Sequence, residues 1–202
     1  MELIVTIVRH GNTFGPGEAA RRIGARTDLP LAASGLEQAR SLGAAFADQG
    51  LTFDRALAAP LKRTQVTIEG ILAHQLRAPV IESVDWLTEI DHGPDEGQIE
   101  RQVVARIGHG ALAAWDAQGQ APDGWIVDQD RRLEGWRGLW QTDKEQVLIV
   151  TSNGAARFAL LSDDVLWKQA AALPSLKLST GAYGIIARER GKLRLVTWDQ
   201  RP

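Results

Sequence analysis

The 202-residue sequence contains no cysteine, and it has only one methionine and one tyrosine. The absence of cysteine excludes disulfide bonds, thiolate metal sites and a cysteine nucleophile, and it is compatible with the cytosol. No apolar run approaches the ~20 residues that cross a membrane, and the first apolar run is too short for a signal peptide. These absences together predict a soluble, cytoplasmic protein.

The sequence also lacks an excess of either charge. Its 23 Lys and Arg residues nearly balance 25 Asp and Glu residues, for a net charge of -2. Such a balance gives no bulk attraction to nucleic acid or to an anionic membrane surface, so we expect neither as a partner. An anion that binds here must be held by local arginines. The length and the 44% apolar content predict one domain with a substantial core.

The most informative stretch is the apolar run 3–8, which leads directly into Arg9-His10-Gly11. The run predicts a strand buried on both faces that ends at a tight turn. In open α/β sheets, ligands bind outside the carboxyl ends of the strands. Arginine offers a planar fork of donors for phosphate or carboxylate, and neutral histidine acts as a nucleophile or base. Taken alone, the three residues are equally compatible with a solvated strand end.

Two strongly apolar strands alternate with helices along the chain. The second, 147–151, also ends in a polar, glycine-containing turn, Ser152-Asn153-Gly154. Apolar spacing predicts helices over 35–48, 61–76, 98–117, 128–140 and 155–161, and further strands over 53–58, 79–84, 182–187 and 193–198. The third helix is expected to be interrupted or to end near Gly108-His109-Gly110. The last two strands are expected to form a hairpin through a turn at Glu189-Arg190-Gly191-Lys192. A capping box of Ser34 and Glu37 is expected to start the first helix. This order predicts an α/β three-layer sandwich with a mostly parallel central sheet. We expect a single domain, 1–202, with a helical insert or lid at roughly 96–142.

A second interpretation comes from the glycine-rich connection that follows the first strand. Gly15-Pro16-Gly17-Glu18-Ala19-Ala20 fits the dinucleotide-binding pattern G-x-G-x-x-A. That pattern requires its first glycine at the end of a strand, and here several residues intervene. A nicotinamide or flavin site is therefore disfavoured.

Four motifs spread over the chain resemble those of the histidine phosphatase superfamily, the phosphoglycerate-mutase-like proteins. Arg9-His10-Gly11-Asn12-Thr13 resembles the family signature R-H-G-E/Q-T. The other three are Asp28-Leu29-Pro30-Leu31 with Gly35-Leu36-Glu37-Gln38-Ala39, Ala59-Pro60-Leu61-Lys62-Arg63-Thr64 with Thr67, and Leu87-Thr88-Glu89-Ile90-Asp91 with Gly93, Glu96 and Gly97. The resemblance covers nearly the whole chain, and it implies the phosphoglycerate-mutase-like fold.

The resemblance implies hydrolysis of a small phosphorylated substrate through a phosphohistidine, without a metal or another cofactor. His10 would take the phosphoryl group, and Glu89 would protonate the leaving alcohol. Arg9 and Arg63 would grip the phosphoryl oxygens. Asn12 and Thr13 would add neutral donors.

One departure from the family pattern concerns a second histidine, expected after the late strand in V-S-H-G-G-x-x-R. Counting back from Arg157 places Ser152 at that position, with Asn153 adjacent. Replacing a charged donor by a neutral one loses ~1–2 kcal/mol, or about ten- to thirtyfold in rate. Two alternatives therefore stay open: a weak or inactive phosphate-binding relative, and a phosphoglycerate-type mutase. Whether His92 compensates is also open.

Overall fold

A six-stranded mixed sheet forms the centre of the protein, in a computed structural model that describes residues 3–202. Its strands are β1 (Leu3–Arg9), β2 (Arg55–Ala58), β3 (Ile81–Ser83), β4 (Glu145–Thr151), β5 (Tyr183–Glu189) and β6 (Lys192–Gln200). The helices are α1 (Ala33–Asp48), α2 (Lys62–Leu72), α3 (Glu100–Gln118), α4 (Gln129–Trp140), α5 (Asn153–Leu161) and α6 (Asp164–Ala170). Two short 3₁₀ turns, Asp85–Leu87 and Gly93–Asp95, lie between β3 and α3.

The strand order across the sheet is β3-β2-β4-β1-β5-β6. Strands β3, β2, β4 and β1 pair parallel with one another in that order, and β5 pairs antiparallel with both β1 and β6. Helices cover both faces, so the predicted α/β fold with a mostly parallel central sheet is confirmed.

Alternating residues of the central strands feed two separate cores. Val5 and Ile7 point to the core that holds α5 and the tryptophans of α3 and α4. Val8 points to the opposite core, where it packs with Leu42 and Phe46 of α1. Because both faces are covered, β1 must be apolar at nearly every position, which explains the continuous apolar run in the sequence.

The first helix begins earlier than the sequence predicts. Helix α1 starts at Ala33, its N-cap is Ala32, and no side chain caps it, so the expected Ser34–Glu37 capping box is wrong. The Ala32 N–H donates to the Asn12 carbonyl at 2.8 Å, while the Ser34 hydroxyl accepts from the Asn12 amide at 3.3 Å. Contact with the turn after β1 therefore sets the start of the helix.

The other element boundaries differ in smaller ways. Helix α2 ends at Leu72, four residues before the predicted end, and the sequence pattern missed α6 altogether. The predicted interruption of α3 is present, because Gly108 has a left-handed φ of 79° there. Arg190 and Gly191 also have positive φ, as a tight two-residue hairpin turn between β5 and β6 requires. Within residues 3–202, no helix is both long and apolar enough to cross a membrane.

Candidate active site

The parallel pairing of β1 and β4 brings their two polar turns together. Arg9 lies opposite Thr151 in the strand register, and the His10 N–H donates to the Thr151 carbonyl at 3.0 Å. A pocket of about 740 Å³ opens at this edge of the sheet. Six of the eight residues that the sequence singles out line it: Arg9, His10, Asn12, Thr13, Glu89 and Asn153. Arg63 and Ser152 are fully buried behind this lining.

The imidazole of His10 is held in one tautomer. Its Nδ1 lies 2.8 Å from the Gly11 carbonyl oxygen, which only accepts hydrogen bonds, so Nδ1 carries the proton and Nε2 keeps its lone pair. Burial lowers the pKa of His10 well below its ordinary value, and the positive charges of Arg9 and Arg63 lower it further. His10 is therefore neutral at pH 7, the state that a nitrogen nucleophile requires.

The turn that carries His10 is fixed by α1 and α2. The Gly11 N–H donates to the Thr67 hydroxyl at 3.2 Å, and the Asn12 N–H donates to the Gln38 side-chain carbonyl at 2.8 Å. Gly11 packs directly against Gly35, and a side chain on either would collide with the backbone of the other segment. This close approach explains why glycine occupies both positions.

The two arginines are placed differently. Arg9 lines the pocket and donates to the Leu178 carbonyl at 2.8 Å. Arg63 donates to the carbonyls of Thr27, at 2.6 Å, and Gly24, at 3.1 Å. Burial lowers the pKa of both guanidinium groups, but the nearby carboxylate of Glu89 partly offsets this. In this structure Arg63 therefore contributes positive charge and backbone anchoring behind the pocket wall.

Glu89 lies buried in the wall of the pocket. Its Oε1 accepts from the Ile90 N–H at 2.9 Å, and its Oε2 accepts from the Gly154 N–H at 3.1 Å. Burial alone would raise the pKa of this carboxyl, but its electrostatic interaction with the His92 imidazole and the two N–H donors hold that pKa below its ordinary value. The geometry thus favours the ionised carboxylate at neutral pH.

The turn after β4 presents amide groups to the pocket. Asn153 accepts from the Leu178 N–H through its side-chain carbonyl at 2.9 Å, and Gly154 lies next to it in the lining. Ser152 is fully buried, and its hydroxyl has no hydrogen-bond partner among residues 3–202. Asn12 and Thr13 line the facing wall, where the Asn12 side-chain carbonyl accepts from the Thr180 hydroxyl.

A buried histidine lies in the same wall as Glu89. His92 is 6% exposed, and its Nδ1 lies 3.6 Å from Glu96 Oε2. Its ring meets the Trp125 indole edge-to-face, with 4.6 Å between the ring centroids. The carboxylate of Glu96 also accepts from the Gly24 N–H at 2.7 Å and the Thr27 hydroxyl at 2.5 Å. Burial would raise the pKa of Glu96, but the His92 imidazole and these two donors lower it to about 2.

Sequence reasoning missed the charged rim of the pocket. Lys177 pairs with Asp116 at 2.6 Å, Arg22 pairs with Glu100 at 2.8 Å, and Arg201 joins them in the lining. These residues come from distant parts of the chain, and no local motif marks them. Only the fold brings them together.

Arg157 of α5 lies beneath the pocket. Its guanidinium is fully buried and stacks on Trp115, 4.1 Å from the ring centroid, with Asp116 Oδ1 at 3.8 Å. Burial lowers the pKa of Arg157 to about 10, although the charge of Asp116 partly offsets it. Arg157 thus supports the pocket from beneath, at Trp115.

The fold and the site together define an α/β protein with a histidine-centred anion pocket at the ends of its parallel strands. Residues 5–201 match the histidine phosphatase superfamily (branch 1), and the chain belongs to that family.

The sequence identity between this chain and the individual proteins that it resembles is low. The chain is 28% identical over 159 residues to PhoE of Bacillus subtilis, described as an uncharacterized phosphatase, covering 79% of this chain and 76% of PhoE. It is 29% identical over 113 residues to the 2,3-bisphosphoglycerate-dependent phosphoglycerate mutase of Rhizobium etli, covering 55% and 53% of the two chains. The mycobacterial glucosyl-3-phosphoglycerate phosphatase shares the fold, with a TM-score of 0.77 at 17% identity, over 98% of this chain and 99% of that one.

Proposed function

We propose that this protein is a metal-independent phosphatase that hydrolyses a small phosphomonoester through a phosphohistidine at His10. The observation that carries the proposal is the state of the His10 ring. Its Nδ1 is tied to the Gly11 carbonyl, its Nε2 keeps a lone pair, and burial beside Arg9 and Arg63 holds it neutral. Membership of a phosphatase-containing family supports the same reaction.

In the proposed first step, His10 Nε2 attacks phosphorus in line with the leaving oxygen. Charge on the equatorial oxygens must be neutralised, and Arg9 supplies a guanidinium in the pocket wall. Arg63 adds positive charge from behind, while Asn12, Thr13 and Asn153 add neutral donors. The backbone at the N-terminus of α5 favours an anion as well.

We infer that Ser152 replaces the second histidine of the family and that the replacement slows the reaction. Ser152 occupies the N-cap of α5, and its buried hydroxyl lies outside the pocket lining of residues 3–202. Asn153 is therefore the side chain of this turn that meets the substrate. A mutase must shield its phosphoenzyme from water, and the replacement of the second histidine makes this harder. We therefore favour hydrolysis of the phosphoenzyme over return of the phosphoryl group to the substrate.

The size of the pocket supports a substrate larger than phosphate itself. A volume of about 740 Å³ falls in the range of sites for small organic ligands, ~300–1,000 Å³. Trp115 and Asp116 of α3 form part of the wall. We assign 96–142 as a helical insert of a single domain that covers the leaving-group side of the pocket.

The test is turnover of para-nitrophenyl phosphate with EDTA present, for the wild type, His10→Ala and His109→Ala. The wild type and His109→Ala, altered at an exposed histidine, should hydrolyse the ester in EDTA. His10→Ala should lose activity by at least ~10⁴-fold, since the covalent route is gone. Undiminished turnover by His10→Ala would overturn the proposal. An inactive wild type that binds vanadate in an Arg9-dependent way would instead make the protein a phosphate-binding relative.

A further inference from the structure

The segment 176–180, between α6 and β5, holds three side chains of the pocket. The Leu178 carbonyl accepts from the Arg9 guanidinium at 2.8 Å, and the Leu178 N–H donates to the Asn153 side-chain carbonyl at 2.9 Å. The Thr180 hydroxyl donates to the side-chain carbonyl of Asn12. Because its oxygen is taken, the NH₂ group of Asn153 is the end left to donate to a phosphoryl oxygen. The position of this segment therefore decides where the donors of the pocket point.

The carboxylate of Asp199, near the end of β6, anchors the middle of this segment. Its Oδ1 accepts from the Ser179 N–H at 2.6 Å, and its Oδ2 accepts from the Ser179 hydroxyl at 3.2 Å. Ser179 lies between the two residues that bond to the pocket side chains. The preceding residue of β6, Trp198, donates its indole N–H to the Leu176 carbonyl at 3.2 Å. Two consecutive residues of β6 thus fix the segment 176–180 at two points.

The backbone at Asp199 is in a conformation that residues other than glycine rarely adopt. Its φ is 56°, in the left-handed region. The pairs Tyr183–Gln200 and Ile185–Thr197 enclose one residue of β5 but two of β6, so the strand pairing is irregular here, as at a β-bulge. Irregularities of this kind re-aim side chains, and this one places the Asp199 carboxylate against Ser179. Backbone strain of this kind persists where surrounding contacts hold it, and it is concentrated at functional sites.

Asp199 also acts on the Arg9 guanidinium through its charge. Burial lowers the pKa of Arg9, and the negative charges of Glu89 and Asp199 oppose this effect, while Arg63 and Arg201 act in the same direction as burial. The Asp199 carboxylate therefore favours the charged guanidinium, which is the form that neutralises phosphoryl oxygens.

We propose that Asp199 is a positioning residue for phosphoryl transfer, which acts through Ser179 and the segment 176–180 on Arg9 and Asn153. This inference rests on the proposed phosphohistidine reaction. Asp199 lies outside the pocket lining of residues 3–202, so it acts on the donors and not on the substrate. The donors meet more negative charge in the transition state than in the bound ester, so their misplacement lowers kcat more than it weakens substrate binding.

The experiment compares Asp199→Gly with Asp199→Asn on para-nitrophenyl phosphate. Glycine adopts the left-handed conformation freely but loses both bonds to Ser179. Asparagine tolerates that conformation, and its oxygen and NH₂ group can bond the Ser179 N–H and hydroxyl oxygen. Asp199→Gly should lower kcat by about 10- to 30-fold and change KM by less than about threefold. Inhibition by orthovanadate, a mimic of the five-coordinate transition state, should weaken by about the same factor as kcat falls. Asp199→Asn should keep kcat within about threefold of the wild type.

Two further variants control for folding and for backbone effects. Arg190→Gly is the matched control, because Arg190 is the other non-glycine residue of 3–202 with a positive φ and lies in the turn between β5 and β6. It should change neither kcat nor inhibition by vanadate. Ser179→Ala removes the hydroxyl bond and keeps the N–H bond to Asp199, so it should lower kcat by a smaller factor, about two- to fivefold.

Several results would overturn the inference. Unchanged kcat and vanadate inhibition in Asp199→Gly is one, and a kcat for Asp199→Asn as low as that of Asp199→Gly is another. An equal loss in Arg190→Gly would assign the effect to the β5–β6 hairpin as a whole. If circular dichroism shows that Asp199→Gly is unfolded, full activity of Ser179→Ala overturns the inference in its place. A wild type that does not hydrolyse the ester contradicts the phosphatase proposal itself, and so is distinguished from these.

Discussion

At the scale of single residues, the site depends on backbone groups that fix side chains before any ligand arrives. The Gly11 carbonyl sets the tautomer of His10, and the N–H groups of Ile90 and Gly154 hold Glu89. The local motifs identify these side chains, but not their partners, because the partners depend on tertiary contacts. For this reason the sequence places Arg63 and Ser152 at the ligand, whereas the structure places both behind the pocket lining of residues 3–202.

Glu96 gives a residue-scale prediction with a defined pH dependence. Its pKa is about 2 in the folded protein, against an ordinary value of 4.5. A carboxyl with a lowered folded pKa stabilises the protein fully above about 4.5, and this contribution is lost as the pH falls toward about 2. Glu96→Gln should lower the free energy of unfolding at neutral pH by ~1–3 kcal/mol, because charge-assisted bonds to Gly24 and Thr27 are lost.

Urea denaturation of both proteins across pH checks this prediction. The difference between the wild type and Glu96→Gln should shrink as the pH drops below about 4.5. Glu100→Gln is the matched control, because its carboxylate makes an exposed pair with Arg22 and should contribute less than ~1 kcal/mol. A difference that stays constant down to acid pH would contradict the assigned role of the Glu96 charge.

At the scale of elements, helix α3 contains a built-in bend. Gly108 has a φ of 79° and a ψ of 161°, a backbone conformation open essentially to glycine alone that costs other residues ~1–3 kcal/mol. Gly108→Ala should therefore lower the free energy of unfolding by about that amount. Gly110→Ala, two residues on in ordinary helix with open space at its Cβ, should instead raise it by ~0.5–1 kcal/mol. Thermal or urea unfolding of the two variants measures both changes in the free energy of unfolding. Equal changes in Gly108→Ala and Gly110→Ala would argue against a fixed bend at Gly108.

The sequence predicts a helix, strand or turn correctly where the residues of that element alone determine it. The buried strands β1 and β4, the bend at Gly108 and the hairpin all appear as predicted, because periodicity and glycine chemistry are local signals. The predicted start of α1 is wrong because a contact with Asn12, in the turn after β1, determines where the helix begins. Helix α6 was missed because only seven residues form it, too few for a clear period.

At the scale of the whole molecule, the site exists because β1 and β4 are parallel neighbours. Their register places Arg9 opposite Thr151, and the segments around Arg22, Glu89 and Trp115 complete the pocket. The sequence predicted the fold and the strand ends, since alternation of apolar strands with helices limits the topology strongly. The charged rim, which includes Asp116, Lys177 and Arg201, could not be predicted, because these residues are distant in the sequence and come together only in the folded protein.

The central claim is that His10 forms a covalent phosphoenzyme, and trapping that intermediate tests it most directly. Wild-type protein is mixed with an excess of para-nitrophenyl phosphate and quenched within milliseconds at alkaline pH, where phosphohistidine survives. The intact mass and peptide fragmentation of the quenched protein are then measured. If His10 is the nucleophile, the wild type gains the mass of one phosphoryl group, located on His10, and His10→Ala does not. Turnover without any phosphoenzyme, or a phosphoryl group on another residue, would contradict the account.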